Sequence, residues 1–321
     1  MCGIMGFSRI TDITRRMAPF LALEMEGRGR DSWGATNGTE IIKHLGPIHK
    51  TWMESVPGWS TWSTGIFHTR AASTGKVCME NQHPFPTAKD NKVILGIHNG
   101  VVTNYEALNK KYNRTYECDS PHIFEAIVGN SPTEEIQGYG NLAWYQMTVE
   151  DPTPRLHLAR FNGDNLNIGI LETGEIVFCS TRDVVEKAAL MAGGKVRIFY
   201  ATVGDVEYDI RVDEADPTQD SLWKVGDLKF GSRTYGMGNQ AAEFFRAGTA
   251  STDTHRNPPV GFQSSYRPVY PTLDQLNSTD RGNNICGVSS CTEKVEPNRR
   301  RALVCQKHMD KFIKELAGVG V

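Results

Sequence analysis

The sequence predicts an α+β fold with more strands than helices, followed by a linker and a small tail. Between positions 142 and 212, short runs rich in β-branched and aromatic residues are separated by turn residues, which is typical of strands. Helical periodicity is confined to a few segments. After position 228 the chain becomes rich in Gly, Ser and Pro without a clear period. We therefore expect one layered domain over residues 2–228.

The first half of this domain is predicted to contain both strands and helices. Residues 2–9 form a short apolar run with small side chains, as in a buried strand. Asp12 is predicted to cap the helix that follows, and Gly27 and Gly29 are predicted to end it. The expected strands are 2–9, 63–70 and 92–98, and the expected helices are 13–26, Asn104–Lys111 and Pro121–Val128.

The second half of the domain is predicted to be mostly strand, with one helix at Asp183–Met191. The expected strands are Ala143–Val149, Arg155–Arg160, Asn165–Leu171, Ile176–Ser180, Val196–Ala201 and Val206–Val212. Residues 229–285 are predicted to form a linker or an extended arm, because they combine Gly, Ser, Thr, Asn and Pro without periodicity.

Composition excludes several classes of function. The 321 residues carry a formal net charge of -2, so a global basic field that would gather nucleic acid is absent. The sequence has neither the pattern of a signal peptide nor an apolar run as long as a membrane span. We expect a cytoplasmic protein without a membrane partner. Its seven cysteines are then expected to be reduced, catalytic or metal-bound.

A cysteine follows the initiator methionine. If Met1 is removed, Cys2 carries both a thiol and a free α-amine, and an α-amine with a pKa of about 7.7–8.0 is partly neutral near pH 7. One residue could then supply the nucleophile and the general base of a hydrolytic reaction. A small apolar side chain in the first strand is the alternative interpretation.

Five sequence blocks resemble one enzyme family. They are, in chain order, Met1-Cys-Gly-Ile-Met-Gly6, Arg28–Gly34, His68–Gly75, His98-Asn-Gly100 and Asp119-Ser120. Together they resemble the class II glutamine amidotransferases, which have an N-terminal nucleophile (Ntn). The family includes the glutaminase domains of glucosamine-6-phosphate synthase and glutamine phosphoribosylpyrophosphate amidotransferase. The resemblance covers about two-thirds of the chain and implies a four-layer αββα sandwich.

The resemblance implies a binding partner for each end of L-glutamine. Arg70 would bind the α-carboxylate through two parallel hydrogen bonds, although a structural salt bridge is an alternative role. Asp119 would bind the α-ammonium group, and it could also serve as a helix N-cap. Ser73 stands where relatives often have threonine and could donate its hydroxyl to the substrate.

The resemblance also implies how the reacting amide is stabilised. With Cys2 as the nucleophile, Asn99 and Gly100 would donate to the tetrahedral oxyanion, which requires preorganised side-chain and backbone N–H groups. The strand predicted to end at His98 places both residues in a turn. Asn-Gly is also a common hairpin turn, which is the alternative reading of this pair alone. Arg28 is expected to support the site by holding Cys2 or the terminal segment.

Two residues depart from the family pattern. Thr74 replaces the histidine of glucosamine-6-phosphate synthase, which argues against membership of that branch. Ala71 replaces a usual aromatic residue, which would leave the glutamine pocket more open. An amidase that acts on another amide is therefore an alternative to a glutaminase.

Other cysteines and histidines allow competing arrangements. Cys78 or Cys118 could pair with a histidine as in papain-like enzymes, but buried inert thiols are expected instead. His68, His83 and His98 could suggest a metal site. Because His68 and His98 lie inside family blocks, we expect them to be structural.

The predicted tail over 286–321 contains four candidate metal ligands, which are Cys286, Cys291, Cys305 and His308. Three cysteines and one histidine can form a closed tetrahedral zinc site, so a structural zinc is expected, with no cofactor for catalysis. Scattered free thiols are the alternative. The tail is also basic, so it could touch nucleic acid or dock on an acidic partner, or present a solvated face.

The predicted activity is hydrolysis of L-glutamine to glutamate and ammonia through a thioester on Cys2. The sequence contains no P-loop, pyrophosphatase loop or dinucleotide fingerprint, so we expect a separate synthetase to accept the ammonia. A homo-oligomer is compatible with this prediction. A catalytically idle scaffold with a zinc tail is the alternative from another functional class.

Overall fold

The computed structural model describes residues 2–59, 61–202, 204–212 and 220–231. The helices in these ranges are α1 (Asp12–Glu26), α2 (Ile48–Trp59), α3 (Tyr105–Tyr112), α4 (Pro121–Val128), a 3-10 turn (Thr133–Glu135) and α5 (Arg182–Met191). The strands are β1 (Gly3–Phe7), β2 (Ser32–Thr36), β3 (Ile41–Leu45), β4 (Gly65–Arg70), β5 (Phe85–Lys89), β6 (Lys92–Val102), β7 (Gly138–Thr148), β8 (Arg155–Phe161), β9 (Asn167–Leu171), β10 (Ile176–Cys179), β11 (Val196–Ala201), β12 (Val206–Val212) and β13 (Asp220–Asp227). The predicted zinc ligands Cys286, Cys291, Cys305 and His308, and nearly all of the predicted linker, lie outside the described residues.

The described strands form two antiparallel sheets in a mixed α/β fold. The first sheet has the strand order β11-β9-β10-β1-β4-β2-β3, and the second has the order β13-β12-β8-β7-β6-β5. In the first sheet, Gly3 of β1 lies opposite Thr69 of β4, and Ser32 of β2 lies opposite Arg70 of β4. The beginning of β1, the end of β4 and the beginning of β2 therefore lie side by side.

Three apolar clusters give the order of the layers. One cluster packs helices α1, α2 and α5 on the first sheet and includes Leu21 and Phe67. A second packs α3 and α4 on the second sheet and includes Phe124. The third fills the space between the two sheets and includes Ile97 and Phe178. The layers thus follow the order helices, sheet, sheet, helices, which is the expected αββα arrangement.

The cap of α1 differs from the prediction. Thr11, not Asp12, is the N-cap residue, and its backbone N–H donates to the Thr14 hydroxyl at 2.7 Å. Asp12 lies in the first turn, where its negative charge still favours the helix N-terminus. Gly27 is the C-cap, as predicted.

The strand predicted to end at His98 is longer in the structure. β6 continues to Val102, and Asn99 and Gly100 lie opposite Asn141 and Gly140 of β7. The turn reading of Asn99-Gly100 is therefore wrong, because pairing with β7 extends the strand through a dipeptide that favours turns on its own.

Among the described residues, six elements were not predicted, namely β2, β3, α2, β5, β13 and the 3-10 turn. β2 is five residues long and contains Gly34, so its local strand signal is weak. The glycine is required by packing, since a Cβ on Gly34 would lie 2.1 Å from the His83 carbonyl oxygen.

None of the described helices is long and apolar enough to cross a membrane.

Candidate active site

The candidate nucleophile lies where β1 begins and β4 ends. Cys2 is half-buried, and its thiol donates to the Ala71 carbonyl oxygen at 3.5 Å. Burial raises the pKa of the Cys2 thiol above its usual value, against smaller lowering contributions that include the hydrogen bond to Ala71 and the charge of Arg70. The thiol is therefore neutral near pH 7, so it needs a base before it can attack a substrate.

The block that starts at Arg28 wraps around the end of β4. Arg28 Nε donates to the Cys2 carbonyl oxygen at 2.9 Å, which is the contact that a supporting role requires. A Cβ on Gly29 would lie 2.4 Å from the carbonyl carbon of Arg70, so only glycine fits there. The Asp31 backbone N–H donates to the Arg70 carbonyl oxygen at 3.0 Å. The block thus fixes Cys2 and Arg70 relative to each other.

Arg70 is a buried cation at the last position of β4. It is 3% exposed, and its guanidinium donates to the carbonyl oxygens of Lys76 at 3.0 Å and Thr74 at 2.5 Å. None of the ion pairs between described residues includes Arg70, so the salt-bridge alternative finds no support in that part of the chain. A buried guanidinium without a carboxylate partner is suited to bind an anionic ligand.

Asp119 lies near the same loop and is 3% exposed. Its Oδ1 accepts a hydrogen bond from the Thr74 hydroxyl at 2.8 Å, and its Oδ2 accepts one from the Val102 backbone N–H at 2.6 Å. The N-cap of α4 is Ser120, so the alternative in which Asp119 caps this helix is wrong. Thr74 therefore contacts both residues that the sequence assigned to the ends of glutamine.

Asn99 and Gly100 lie on β6 of the second sheet. The Asn99 side-chain nitrogen donates to the Ser180 hydroxyl at 3.1 Å, and that hydroxyl accepts from the Ile4 backbone N–H at 3.0 Å. Ser180 thus ties the predicted oxyanion donor to the strand that follows the candidate nucleophile. A Cβ on Gly100 would lie 1.9 Å from the Tyr139 carbonyl oxygen, so glycine is also required sterically. Ser180 carries no motif, and sequence reasoning missed it.

Buried histidines join the two sheets near this site. His68 Nε2 donates to the His98 carbonyl oxygen at 3.1 Å, and His98 Nδ1 accepts from the Ser120 hydroxyl at 3.0 Å. Burial lowers the pKa of His68 to about 3, with the charges of His98 and Arg70 as smaller causes. Burial also lowers the pKa values of His83 and His98. Within the described ranges, no group of three or more His, Cys, Asp or Glu is arranged to hold a metal ion.

The remaining candidates lie around the loop between β4 and β5. Ser73 is exposed in this loop, and its contact with substrate stays a prediction. Cys78 is half-buried and reduced. Cys118 is buried, and burial raises the pKa of its thiol to about 11, which favours an inert thiol over a nucleophile.

The fold is similar to that of a solved enzyme of purine biosynthesis. A structure described as the allosteric regulatory enzyme of purine biosynthesis aligns with a TM-score of 0.50 and 19% identity, over 71% of this chain and 50% of that chain. A glutamine phosphoribosylpyrophosphate amidotransferase from B. subtilis gives a TM-score of 0.48 and 18% identity, over 70% of this chain and 49% of the other. At this level of identity, the likeness to the first structure concerns the fold alone.

The chain is also similar in sequence to curated proteins, although no protein-family model matches it. A glutamine–fructose-6-phosphate aminotransferase (isomerizing) of Bacillus cereus is 37% identical over 132 residues, which cover 40% of this chain and 21% of that protein. The protein of the same name from Methanosarcina mazei is 35% identical over 136 residues, with the same coverage. The chain thus spans about a fifth of the length of these relatives. These matches confirm the predicted resemblance to a class II Ntn glutamine amidotransferase domain.

Proposed function

We propose that this chain hydrolyses L-glutamine to L-glutamate and ammonia at Cys2, and that a separate synthetase uses the ammonia. The observation that carries the proposal is the arrangement of Arg70 and Asp119 beside Cys2. A buried cation and a buried anion, each without a charged side-chain partner among the described residues, can bind the two ends of an amino acid. The similarity to glutamine–fructose-6-phosphate aminotransferases supports glutamine as that amino acid.

The proposed reaction requires a chain that begins at Cys2. The α-amine takes the thiol proton, and the thiolate attacks the side-chain amide carbon of glutamine and forms a C–S bond. Asn99 and Gly100 donate hydrogen bonds to the resulting oxyanion. The amine returns the proton to the leaving nitrogen, the C–N bond breaks, and ammonia departs from a γ-glutamyl thioester. Water then gives a proton to the amine and attacks the thioester, the C–S bond breaks, the thiol recovers its proton, and glutamate leaves.

The raised pKa of the Cys2 thiol fits this scheme. A thiol that stays neutral near pH 7 cannot act as a preformed thiolate, so the proton must move to a base during the reaction. Arg28 is assigned to holding the carbonyl group of Cys2, which fixes the position of both the thiol and the amine. Ser73 is assigned to a hydrogen bond with the substrate, as its place in the motif implies.

Glutamate release from L-glutamine tests the proposal. The wild type, Cys2→Ala and the control Cys78→Ala are compared after intact mass has shown whether Met1 is removed. We expect release by the wild type and by Cys78→Ala, and none by Cys2→Ala. Glutamate release by Cys2→Ala at the wild-type rate would exclude Cys2 as the nucleophile. A processed wild type that neither releases glutamate nor reacts at Cys2 with a diazo-ketone analogue of glutamine would support the idle scaffold.

An amidase for another substrate is the second candidate, because Ala71 stands where relatives carry an aromatic side chain. Its backbone carbonyl oxygen accepts from the Cys2 thiol at 3.5 Å, so this residue adjoins the proposed nucleophile. A panel of γ-glutamyl amides decides between the two. Turnover of larger amides in preference to free L-glutamine would favour this candidate.

The structural zinc and the cytoplasmic location are two further proposals. A structural zinc at Cys286, Cys291, Cys305 and His308 predicts about one equivalent of zinc in the purified protein by elemental analysis. The variant in which all three cysteines are replaced by serine is expected to contain no bound zinc. The cytoplasmic location is likewise a prediction.

A further inference from the structure

Thr74 lies between the two charged residues of the candidate site. Its hydroxyl donates to Asp119 Oδ1 at 2.8 Å, and its carbonyl oxygen accepts a hydrogen bond from Arg70 at 2.5 Å. We propose that Thr74 is a positioning residue that sets the specificity for the substrate's α-ammonium group by fixing the Asp119 carboxylate. The inference rests on the proposed function, since it concerns the site that would bind glutamine.

Two donors on different oxygens fix the orientation of this carboxylate. The Thr74 hydroxyl holds Oδ1, and the Val102 backbone N–H holds Oδ2 at 2.6 Å. With both oxygens bonded, the carboxylate cannot rotate about its Cβ–Cγ bond without losing a hydrogen bond in a buried place. Oδ1 also accepts a weak hydrogen bond from the Cys118 thiol at 3.7 Å, whereas Oδ2 keeps a further lone-pair direction through which an ammonium group can be bound. The position of the anion is therefore set before the substrate arrives.

The loop that carries Thr74 is itself packed against the segment that carries Asp119. Gly75 has a φ of +70°, and a Cβ there would lie 2.7 Å from the Glu117 carbonyl oxygen. The Asn81 side chain donates to Glu117 Oε2 and to the Lys76 carbonyl oxygen, both at 3.2 Å. Thr74 is thus held close to Asp119 by several contacts, of which its own hydroxyl supplies only one.

The hydroxyl is the part of Thr74 that this argument requires. Valine has the same branched shape but cannot donate, so Thr74→Val removes the hydroxyl donor of Asp119 Oδ1 and leaves that oxygen only the weak hydrogen bond from the Cys118 thiol at 3.7 Å. Thr74→Ser keeps the donor and removes only a methyl group. The backbone carbonyl that accepts from Arg70 is present in all three proteins, so the binding of the α-carboxylate is expected to be retained.

Ligand binding without turnover tests the proposal. In a Cys2→Ala background, calorimetry gives dissociation constants for L-glutamine and for glutaramate, which is glutamine without its α-amine. We expect Thr74→Val to weaken L-glutamine binding by about tenfold, as for the loss of one hydrogen bond to a charged group, and to leave glutaramate binding unchanged. Thr74→Ser should restore L-glutamine binding. The matched control Thr115→Val changes an exposed threonine and should bind both ligands like its parent.

Two results would overturn the inference while the proposed function stands. One is equal L-glutamine affinity in the Thr74→Val protein and its parent. The other is an equal loss of affinity for both ligands, which a merely structural role of Thr74 would produce. A Cys2→Ala parent that binds neither ligand would instead refute the proposed function, and the inference with it.

Discussion

His68 should make the fold sensitive to acid, because its two hydrogen bonds require the neutral ring. Its Nε2 donates to the His98 carbonyl oxygen at 3.1 Å, and its Nδ1 accepts from the Gln82 side-chain amide at 3.3 Å. A proton on Nδ1 would place two donors against each other at a residue that is fully buried. Burial, with the charges of His98 and Arg70, accordingly lowers the pKa of His68 to about 3.

The difference between the folded and unfolded pKa values gives the magnitude. An unfolded histidine has a pKa of about 6.5, so below that pH the unfolded chain takes up a proton that folded His68 does not accept. The contribution of His68 to the free energy of unfolding is therefore fully present above pH 6.5 and is lost as the pH falls toward 3. Between pH 7 and pH 5 the loss from this one group is about 2 kcal/mol. The lowered pKa values of His83 and His98 act in the same direction.

Urea unfolding of the wild type and His68→Gln at pH 5, 7 and 9 tests this reasoning. Glutamine does not titrate, and its amide can still donate to the His98 carbonyl oxygen. The free energy of unfolding should fall less in the variant between pH 7 and pH 5, by about 2 kcal/mol. Between pH 9 and pH 7, the change should be the same in both proteins. An equal loss in both proteins between pH 7 and pH 5 would refute the assignment of a strongly lowered pKa to His68.

Three further predictions concern the candidate site. Arg28→Gln removes the hydrogen bond to the Cys2 carbonyl oxygen and should lower the rate of glutamate release by about 10–100-fold, whereas Arg30→Gln, at a mostly exposed neighbour, should leave it unchanged. Equal rates in both variants would contradict this. Gly100→Ala places a Cβ 1.9 Å from a carbonyl oxygen of β7 and should lower the free energy of unfolding by about 1–3 kcal/mol. Its control Gly226→Ala, which meets no atom within 4 Å, should change it by less than about 0.5 kcal/mol, and urea unfolding measures both. In the pH profile, kcat/KM should fall on the acid side with an apparent pKa of about 7.7–8.0, because protonation of the α-amine removes the base. If kcat/KM instead rises only above about pH 9, ionisation of the Cys2 thiol controls the rate.

Elements with strong local signals could be predicted from the sequence. The helix Pro121–Val128 has the predicted bounds, because Pro121 at its first position and Gly129 after its last residue mark both ends. The strands of the second half, except β13, were predicted from their alternating and apolar runs, with shifts of a few residues at their ends. β2 was missed because Ser-Trp-Gly-Ala-Thr acquires its strand structure from pairing with β3 and β4 on either side.

The motif residues of the site could be named from the sequence, but their contacts could not. Asn99 meets Ser180 across 81 positions, and Thr74 meets Asp119 across 45, so no local pattern reports either contact. A helix N-cap is the alternative role predicted for Asp119, because it precedes Ser120 and a proline. In the structure its carboxylate instead accepts from Val102, and that contact exists because β6 continues past the predicted end.

Intact motifs alone do not separate an active enzyme from an idle scaffold, since Gly29 and Gly100 have steric reasons to be glycine in either. Arg70 and Asp119 give a stronger argument. Both are buried, and the ion pairs of the described residues do not join them. A scaffold would be more stable if these opposite charges paired with each other, or if neutral side chains replaced them. Instead, Thr74 lies between them and bonds to both. Two opposite charges kept apart in a buried place next to a cysteine are the complement of an amino acid, whose carboxylate and ammonium groups need separate partners.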